Sequence, residues 1–162
     1  MTGPSLENIL TTLAGRLCAS GLMLVTVESC TGGGVAAAAT SMAGSSDWFD
    51  RAWVTYSNEA KNQMVGVPTA LIEEHGAVSG PVARAMAEGA LQRCPAGRVA
   101  VSLTGIAGPA GGNAEKPVGT VYIAWANLGR SQVQRFQFDG DRDQVRRASA
   151  QAALSGLLEI IP

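Results

Sequence analysis

The sequence is poor in the residues that bind transition metals or form disulfide frameworks. It contains one histidine, His75, and three cysteines, Cys18, Cys30 and Cys94, with no Cys-x-x-Cys pair. An odd number of cysteines without paired spacing argues against both a disulfide scaffold and a zinc ribbon. One histidine leaves too few nitrogen ligands for the usual transition-metal sites. We therefore predict a reduced protein without a metal site.

The sequence also lacks an excess of charge and a long apolar run. Twelve basic residues face 13 acidic ones, so the formal net charge is -1 and no global positive field is available to hold a polyanion. Apolar runs such as residues 22–25 fall far short of the roughly 20 residues that span a bilayer, and no basic segment followed by an apolar stretch opens the chain. We expect a cytoplasmic protein that binds neither nucleic acid nor membranes.

Hydrophobic residues and glycines are abundant. Hydrophobic residues make up 46% of the 162 positions, which predicts one compact domain over residues 1–162. Apolar β-type runs at 22–27, 51–56, 98–103 and 118–126 alternate with helical patterns, and a more polar edge strand carries Val133, Phe136 and Phe138. This layout predicts an α/β fold, a three-layer α/β/α sandwich with a mostly parallel sheet and an antiparallel edge hairpin.

Three polar clusters follow predicted strands, at residues 29–34, 56–61 and 104–112. In open α/β sheets, ligands bind beyond the carboxyl ends of the strands. Two of the clusters are rich in glycine, and a helix that starts after such a loop presents unpaired N–H groups that suit an oxyanion or a phosphate. Neither loop matches the G-x-x-x-x-G-K-[ST] or G-x-G-x-x-G pattern. Tight turns that pack helix on sheet are the structural alternative for each loop.

A nucleophile and a base can be sought in these clusters. Ser29 follows a buried strand, as in a nucleophile elbow, and needs a base to take its proton. His75 lies near a predicted helix end, where a capping or surface role is the simpler reading. Lys61 lies in a predicted first helical turn, where the dipole and burial would both lower its pKa, unless it is a solvated helix lysine. Tyr56 could share a hydrogen-bonded site with both, and Cys30 is either a rival nucleophile or a packed thiol.

Charged residues near the start of the last predicted helix have two readings. Arg142 and Arg146, one helical turn apart, could clamp a phosphate or could be solvated. Asp139, Asp141 and Asp143 could suggest a cation site, but acidic residues at a helix start are ordinary caps, and the calcium-loop pattern is incomplete.

Seven motifs in order resemble one known family. They are Glu-Ser-Cys-Thr-Gly-Gly at 28–33, Ala-Gly-Ser-Ser at 43–46, Val-Thr-Tyr-Ser-Asn-Glu-Ala-Lys at 54–61, His-Gly-Ala-Val-Ser at 75–79, Thr-Gly-Ile-Ala-Gly-Pro at 104–109, Lys-Pro-Val-Gly-Thr-Val at 116–121 and Gly-Asp-Arg at 140–142. Together they closely resemble the C-terminal domain of the CinA family, which in stand-alone form is the bacterial nicotinamide-nucleotide amidase. The resemblance spans nearly the whole chain. It implies deamidation of nicotinamide mononucleotide to nicotinate mononucleotide and ammonia, with no metal and no cofactor, by a homo-oligomer that we expect to be a dimer.

The resemblance also implies roles for individual residues. Ser29 would be the nucleophile and Lys61 the general base, while Tyr56 would assist proton transfer or orientation. The N–H groups of the turn at 31–34 would hold the oxyanion. The residues expected to bind the nucleotide's phosphate or the oxyanion are Cys30, Thr31, Gly32, Gly33, Thr104, Gly105, Gly108, Arg142 and Arg146.

Two other functions remain open from the sequence. The same loops could bind a pyridine nucleotide without catalysis, and ammonia release from nicotinamide mononucleotide separates this reading from an amidase. The family's link with competence also suggests a partner in DNA uptake or repair. The near-neutral charge weakens that reading, and salt-dependent DNA binding would revive it.

Overall fold

One five-stranded sheet forms the middle layer of the molecule. The computed structural model describes residues 3–127 and 129–162. The strands are β1 (Met23–Glu28), β2 (Phe49–Val54), β3 (Arg98–Gly105), β4 (Thr120–Asn127) and β5 (Arg130–Gln137), in the spatial order β2-β1-β3-β4-β5. β1 pairs in parallel with β2 and β3, whereas β4 is antiparallel to both β3 and β5. Four of these five strands therefore run in one direction, and the predicted edge hairpin is confirmed as β4–β5.

Helices cover both faces of this sheet. They are α1 (Leu6–Ser20), α2 (Gly34–Thr40), α3 (Asn58–Val65), α4 (Thr69–His75), α5 (Gly80–Leu91) and α6 (Arg142–Ile160). α1, α2 and α6 pack together on one face, and α5 covers the other with α3 and α4 beside it. The predicted three-layer sandwich is confirmed. Within the two described ranges, every helix is too short or too polar to cross a lipid bilayer.

The side chains of β1 alternate between two hydrophobic cores. Leu24 packs with α1 and α6 in one core, while Val25 and Val27 pack with α5 in the other, and all three are fully buried. Because successive side chains of a strand point to opposite faces, a strand covered on both sides is apolar at most of its positions. This double burial fixes the carboxyl end of β1, where Ser29 follows.

Local signals in the sequence set the helix ends. The Ser5 hydroxyl caps α1 by accepting a hydrogen bond from the Asn8 N–H, and Gly21 ends α1 in the left-handed conformation. Ser57 caps α3 in the same way through the Ala60 N–H. The first turn of α3, which carries Lys61, thus begins directly after the loop that follows β2.

Several predicted strand boundaries are corrected by one or two residues, including the starts of β2 at Phe49 and of β4 at Thr120, and two of the strand ends have a clear physical reason. The second strand was predicted at 51–56, but β2 ends at Val54 because the carbonyl groups of Thr55 and Tyr56 turn toward a side chain rather than a neighbouring strand. The third was predicted to end at residue 103, but β3 continues to Gly105, which pairs with Val121. A Cβ at position 105 would lie 2.6 Å from Val121 Cγ2, so the glycine allows this close pairing.

Candidate active site

Ser29 and Lys61 meet at the carboxyl end of the parallel strands. Ser29 follows β1 directly, and Lys61 lies in the first turn of α3. The Lys61 Nζ lies 3.1 Å from the Ser29 Oγ. Ser29 is 8% exposed and Lys61 is 1% exposed, so both residues are buried and Ser29 is the one nearer to solvent. The structure therefore brings together two residues that are 32 positions apart in the chain.

The Lys61 amine is held by two backbone carbonyl groups. Its Nζ donates to the Thr55 carbonyl at 2.8 Å and to the Tyr56 carbonyl at 3.0 Å. Burial lowers the pKa of Lys61 from 10.5 to about 8, because the charged ammonium loses its hydration, while the nearby Cys30 opposes this shift. A substantial neutral fraction therefore exists near physiological pH, and this fraction can accept a proton.

The Cys30 thiol is a packed group. It is 5% exposed, and burial raises its pKa to about 11. Because the thiolate is the reactive form of cysteine, a thiol that keeps its proton at neutral pH is a poor nucleophile. The packed-thiol interpretation of Cys30 therefore fits the structure better than the rival-nucleophile interpretation.

Glu28 organises the turn that carries Ser29, a role that the sequence analysis missed. Its fully buried carboxylate accepts hydrogen bonds from the hydroxyl groups of Thr26 at 3.1 Å and Thr31 at 2.7 Å. It also accepts from the N–H groups of Val35 at 2.8 Å and Ala36 at 3.0 Å, in the first turn of α2. The signal in the sequence was an acidic residue at the end of a buried strand, just before a glycine turn that leads into a helix.

Arg146 holds the same turn from outside the cavity. Its Nε donates to the Cys30 carbonyl and its Nη2 to the Thr31 carbonyl, both at 3.1 Å. Within the turn, the Gly32 N–H donates to the Ser29 carbonyl and the Gly34 N–H to the Thr31 carbonyl. These two N–H groups are engaged in the turn itself, which removes them from the oxyanion donors predicted at 31–34.

Arg142 lies on the cavity side, apart from Arg146. Its Nη1 donates to the Gly108 carbonyl at 2.7 Å, and its Nη2 lies 3.3 Å from the Tyr56 hydroxyl. The ring of Tyr56 is exposed, and this residue reaches Lys61 through its carbonyl group and not through its hydroxyl. The prediction that Arg142 and Arg146 face one ligand is not supported, because α6 directs the two guanidinium groups to different partners.

A cavity of about 280 Å³ opens beside Ser29 and Lys61. Besides the pair, its lining comes mainly from the segment between α4 and α5 and from the loop after β3. The Thr104 hydroxyl, next to the last residue of β3, donates to the Ala77 carbonyl at 2.8 Å and so joins the end of β3 to the segment between α4 and α5. The residues that line the cavity are Ser29, Cys30, Tyr56, Lys61, Ala77, Val78, Thr104, Gly105, Ile106, Ala107, Gly108, Ala110, Gly111 and Arg142.

Eight of the twelve residues predicted for the site line this cavity. Thr31, Gly32, Gly33 and Arg146 do not line it; Thr31 and Arg146 are bonded within the turn, as described above. In the described part of the chain, no group of three or more His, Cys, Asp or Glu side chains is arranged to hold a metal ion.

The remaining charged candidates have ordinary structural contacts. His75 is exposed at the end of α4, with Nε2 3.6 Å from the Glu74 carboxylate. Asp141 caps α6 by accepting from the Gln144 N–H. Asp143 pairs with Arg147 at 3.0 Å. The structural readings of these residues as surface, capping and solvated groups therefore account for what is seen.

Comparisons with known proteins find relatives over nearly the whole chain. A CinA-like protein of Geobacter sp. is 57% identical over 145 residues, which are 90% of this chain and 35% of that protein. The nicotinamide-nucleotide amidohydrolase PncC of Escherichia coli is 51% identical over 158 residues, which cover 97% of this chain and 95% of that one. The chain thus spans about a third of the CinA-like proteins but nearly the whole of the amidohydrolase.

A solved structure and a family model extend the comparison. The competence/damage inducible protein CihA from Agrobacterium tumefaciens superposes with a TM-score of 0.91 at 42% identity, covering 99% of this chain and 98% of that one. The model of the CinA C-terminal domain matches residues 6–161. On these matches and on the fold, the chain belongs to the CinA C-terminal domain family.

Proposed function

We propose that this protein hydrolyses the carboxamide of nicotinamide mononucleotide, giving nicotinate mononucleotide and ammonia, with Ser29 as nucleophile and Lys61 as general base. The observation that carries the proposal is the 3.1 Å contact between a buried amine of lowered pKa and a serine hydroxyl at a cavity wall. The choice of substrate is supported by the name of the E. coli relative, nicotinamide-nucleotide amidohydrolase, at 51% identity.

The contacts of Lys61 favour its action as a base. A neutral amine has two N–H groups and one lone pair. The carbonyl groups of Thr55 and Tyr56 accept the two N–H groups at 2.8 and 3.0 Å, and the lone pair is then left for the third neighbour, the Ser29 hydroxyl. Proton transfer from Ser29 to Lys61 therefore needs no rearrangement of the amine.

The reaction proceeds through an acyl-enzyme. Lys61 takes the proton of Ser29, and the Ser29 oxygen forms a bond to the carboxamide carbon. The C–N bond then breaks, the Lys61 ammonium returns the proton to the leaving nitrogen, and ammonia departs. Water then attacks the ester with Lys61 again as base, and the Lys61 ammonium returns this proton to the Ser29 oxygen as the bond to Ser29 breaks. The acid product loses its proton to solvent and leaves as the carboxylate.

The developing oxyanion needs a donor close to Ser29. The N–H groups of Gly32 and Gly34 are used inside the turn, so we assign this role to the N–H of Cys30, the residue directly after the nucleophile, which lines the cavity. A backbone donor of this kind typically lowers the barrier by about 3 to 4 kcal/mol. The rigidity that Glu28 and Arg146 give to the turn would keep this donor in place.

The size of the cavity determines how a nucleotide would lie. At about 280 Å³ it is at the lower limit of small-molecule sites, which range from about 300 to 1,000 Å³. It would enclose the pyridine ring and the carboxamide against Ala77, Val78 and Ile106, and leave the phosphate at the mouth. Arg142 lines the cavity and is exposed, so its guanidinium is the group that we assign to the phosphate.

An assay of the purified protein tests the proposal. Incubation with nicotinamide mononucleotide should release ammonia and nicotinate mononucleotide in equal amounts, measured by a coupled ammonia assay and by chromatography. The Ser29→Ala variant should be inactive, while Ser46→Ala, at an exposed serine away from the cavity, should match the wild type. Binding of the nucleotide without release of ammonia from the wild type would instead identify a binding module.

We also propose that the protein is a cytoplasmic homodimer. The dimer is proposed from the resemblance to the family. The cytoplasmic location is proposed because the three cysteines lack the paired spacing of a disulfide scaffold. Sedimentation equilibrium of the purified chain should give twice the mass of 16.6 kDa. A monomer at micromolar concentration would contradict the dimer.

A further inference from the structure

Lys116 joins the two chain segments that face the catalytic pair. Its Nζ donates to the His75 carbonyl at 3.2 Å and to the Val78 carbonyl at 2.5 Å. Lys116 belongs to the loop between β3 and β4. Of its two acceptors, His75 is the last residue of α4 and Val78 lies in the segment between α4 and α5. Lys116 is half-buried, and the chain contains only one other lysine, Lys61.

The loop that carries Lys116 is itself fixed at this point. The Asn113 side-chain oxygen accepts hydrogen bonds from the N–H groups of Glu115 at 3.0 Å and Lys116 at 2.8 Å, and the Asn113 N–H donates to the Lys116 carbonyl at 2.9 Å. At the base of the loop, Gly119 and Ile106 are joined by a hydrogen bond at 2.8 Å. The ammonium group therefore projects from a closed turn, and its position is determined by the same loop that lines the cavity.

The segment that Lys116 holds forms the cavity wall. Ala77 and Val78 line the cavity. Lys116 contacts the Val78 carbonyl directly, and Ala77 lies in sequence between Val78 and the other acceptor, His75. From the sheet side, the Thr104 hydroxyl donates to the Ala77 carbonyl. This part of the cavity wall is thus bonded to Thr104 in β3 and to Lys116 in the loop between β3 and β4.

The electrostatics of this contact favour a cation. His75 is the last residue of α4, where backbone carbonyl groups lack intrahelical partners and the helix dipole is negative. An ammonium that bonds such a carbonyl makes a charge-assisted hydrogen bond, which is shorter and stronger than a neutral one. An apolar side chain at position 116 would leave both carbonyl groups without this partner.

We propose that Lys116 is a positioning residue that sets the distance between the Ala77–Val78 wall and the loop after β3, and thereby the affinity of the cavity for the flat pyridine ring. This inference rests on the proposed amidase function. Lys116 does not line the cavity, so it acts on KM through the wall and leaves the proton transfer between Ser29 and Lys61 unchanged.

Steady-state kinetics of Lys116→Met and Lys116→Arg test this role. We expect Lys116→Met to raise KM for nicotinamide mononucleotide by about tenfold, equivalent to about 1.4 kcal/mol. The kcat should change by less than about twofold, and the midpoint of its pH profile should stay in place, since the dyad is untouched. Lys116→Arg keeps the positive charge and the N–H donors at position 116, so its KM should stay within about threefold of the wild-type value.

Arg16→Met is the matched control. The Arg16 guanidinium donates to the Leu158 carbonyl at 2.6 Å, in the last turn of α6, which is the same kind of contact away from the cavity. This variant should leave KM unchanged. A lower kcat with unchanged KM in Lys116→Met, or an equal rise of KM in Arg16→Met, would overturn the proposal.

Amide hydrogen exchange gives a readout that does not depend on activity. In Lys116→Met the N–H groups of residues 76–79 should exchange faster than in the wild type, and in Arg16→Met they should not. If the wild type fails to release ammonia, the proposed function fails while this experiment still tests the contact. Unchanged exchange at 76–79 in Lys116→Met would show that Lys116 does not hold the wall.

Discussion

The segment 28–34 has two sides that use similar polar groups for different ends. On the cavity side, the Ser29 hydroxyl contacts an amine that can exchange a proton with it. On the side away from the cavity, the buried Glu28 carboxylate accepts four hydrogen bonds and the Arg146 guanidinium donates two, all within the protein. The Ser29 hydroxyl has a partner with which it can exchange a proton, whereas the hydrogen bonds of Glu28 and Arg146 hold the turn in place. The chemical role of each polar group in this segment therefore depends on its partner.

The strongest test of this contrast removes the dyad. Ser29→Ala should lower kcat by at least about 10⁴-fold, since it removes the hydroxyl that contacts the Lys61 amine, and Lys61→Met should act similarly. Both variants should keep the far-ultraviolet circular dichroism of the wild type. Cys30→Ala is the neighbouring control and should keep at least about half of the activity, because the thiol holds its proton. Substantial turnover by Ser29→Ala that is lost in the double variant with Cys30→Ala would assign the nucleophile to Cys30.

A substitution at Glu28, on the side of the segment away from the cavity, should lower the stability of the fold. Glu28→Gln replaces an acceptor of four hydrogen bonds with a group that must also donate, which leaves buried N–H groups unpaired. We expect the free energy of unfolding, measured by urea denaturation, to fall by about 2 to 3 kcal/mol. Glu59→Gln, at an exposed position in α3, should change it by less than about 0.5 kcal/mol. Equal effects of the two substitutions would contradict the role of Glu28.

The dyad itself should leave a mark on the pH dependence of stability. The pKa of Lys61 is about 8 in the folded protein and 10.5 when unperturbed, so between these values the unfolded chain binds more protons and stability rises with pH. Below about pH 8 the cost of burying the charge is present in full. From about pH 8 to 9.5, the wild type should gain roughly 1 to 2 kcal/mol relative to Lys61→Met. Parallel curves for the two proteins would mean that Lys61 has an ordinary pKa.

The two arginines of α6 provide the smallest contrast. Arg142→Met should raise KM for nicotinamide mononucleotide by about tenfold but have little effect on nicotinamide riboside, which lacks the phosphate. Arg146→Met should affect both substrates to the same extent, because its partners are the Cys30 and Thr31 carbonyl groups. Ratios of kcat/KM for the two substrates measure this. A larger change of the ratio in Arg146→Met would reverse the assignment.

The layers of the fold could be predicted because they depend on local patterns. Burial on both faces makes β1 mostly apolar, and serine and glycine mark the ends of α1, so both elements were placed within one or two residues. The ends of β2 and β3 could not be placed in this way. Whether a carbonyl group bonds a neighbouring strand or the Lys61 ammonium is decided by parts of the chain that are distant in sequence.

The site was predictable to the extent that topology determines it. Ser29 and Lys61 follow adjacent parallel strands, so their meeting at one edge of the sheet follows from the strand order. The direction of a side chain does not follow, and Arg142 and Arg146 on one helical face have different partners. Glu28 was overlooked because a buried carboxylate with four internal partners resembles, in sequence, any acidic residue near a turn.

The proposed mechanism requires Lys61 to be a neutral amine at the pH of catalysis, and the titration of the Lys61 side chain measures whether it is. Because the chain has only two lysines, carbon-13 labelling of lysine Cε gives two resonances, and Lys116→Arg assigns them. We expect the Lys61 resonance to titrate with a pKa of about 8, and kcat/KM for nicotinamide mononucleotide to rise with pH through the same midpoint. A Lys61 titration near 10.5, or a rate that rises through a midpoint unrelated to it, would contradict the account.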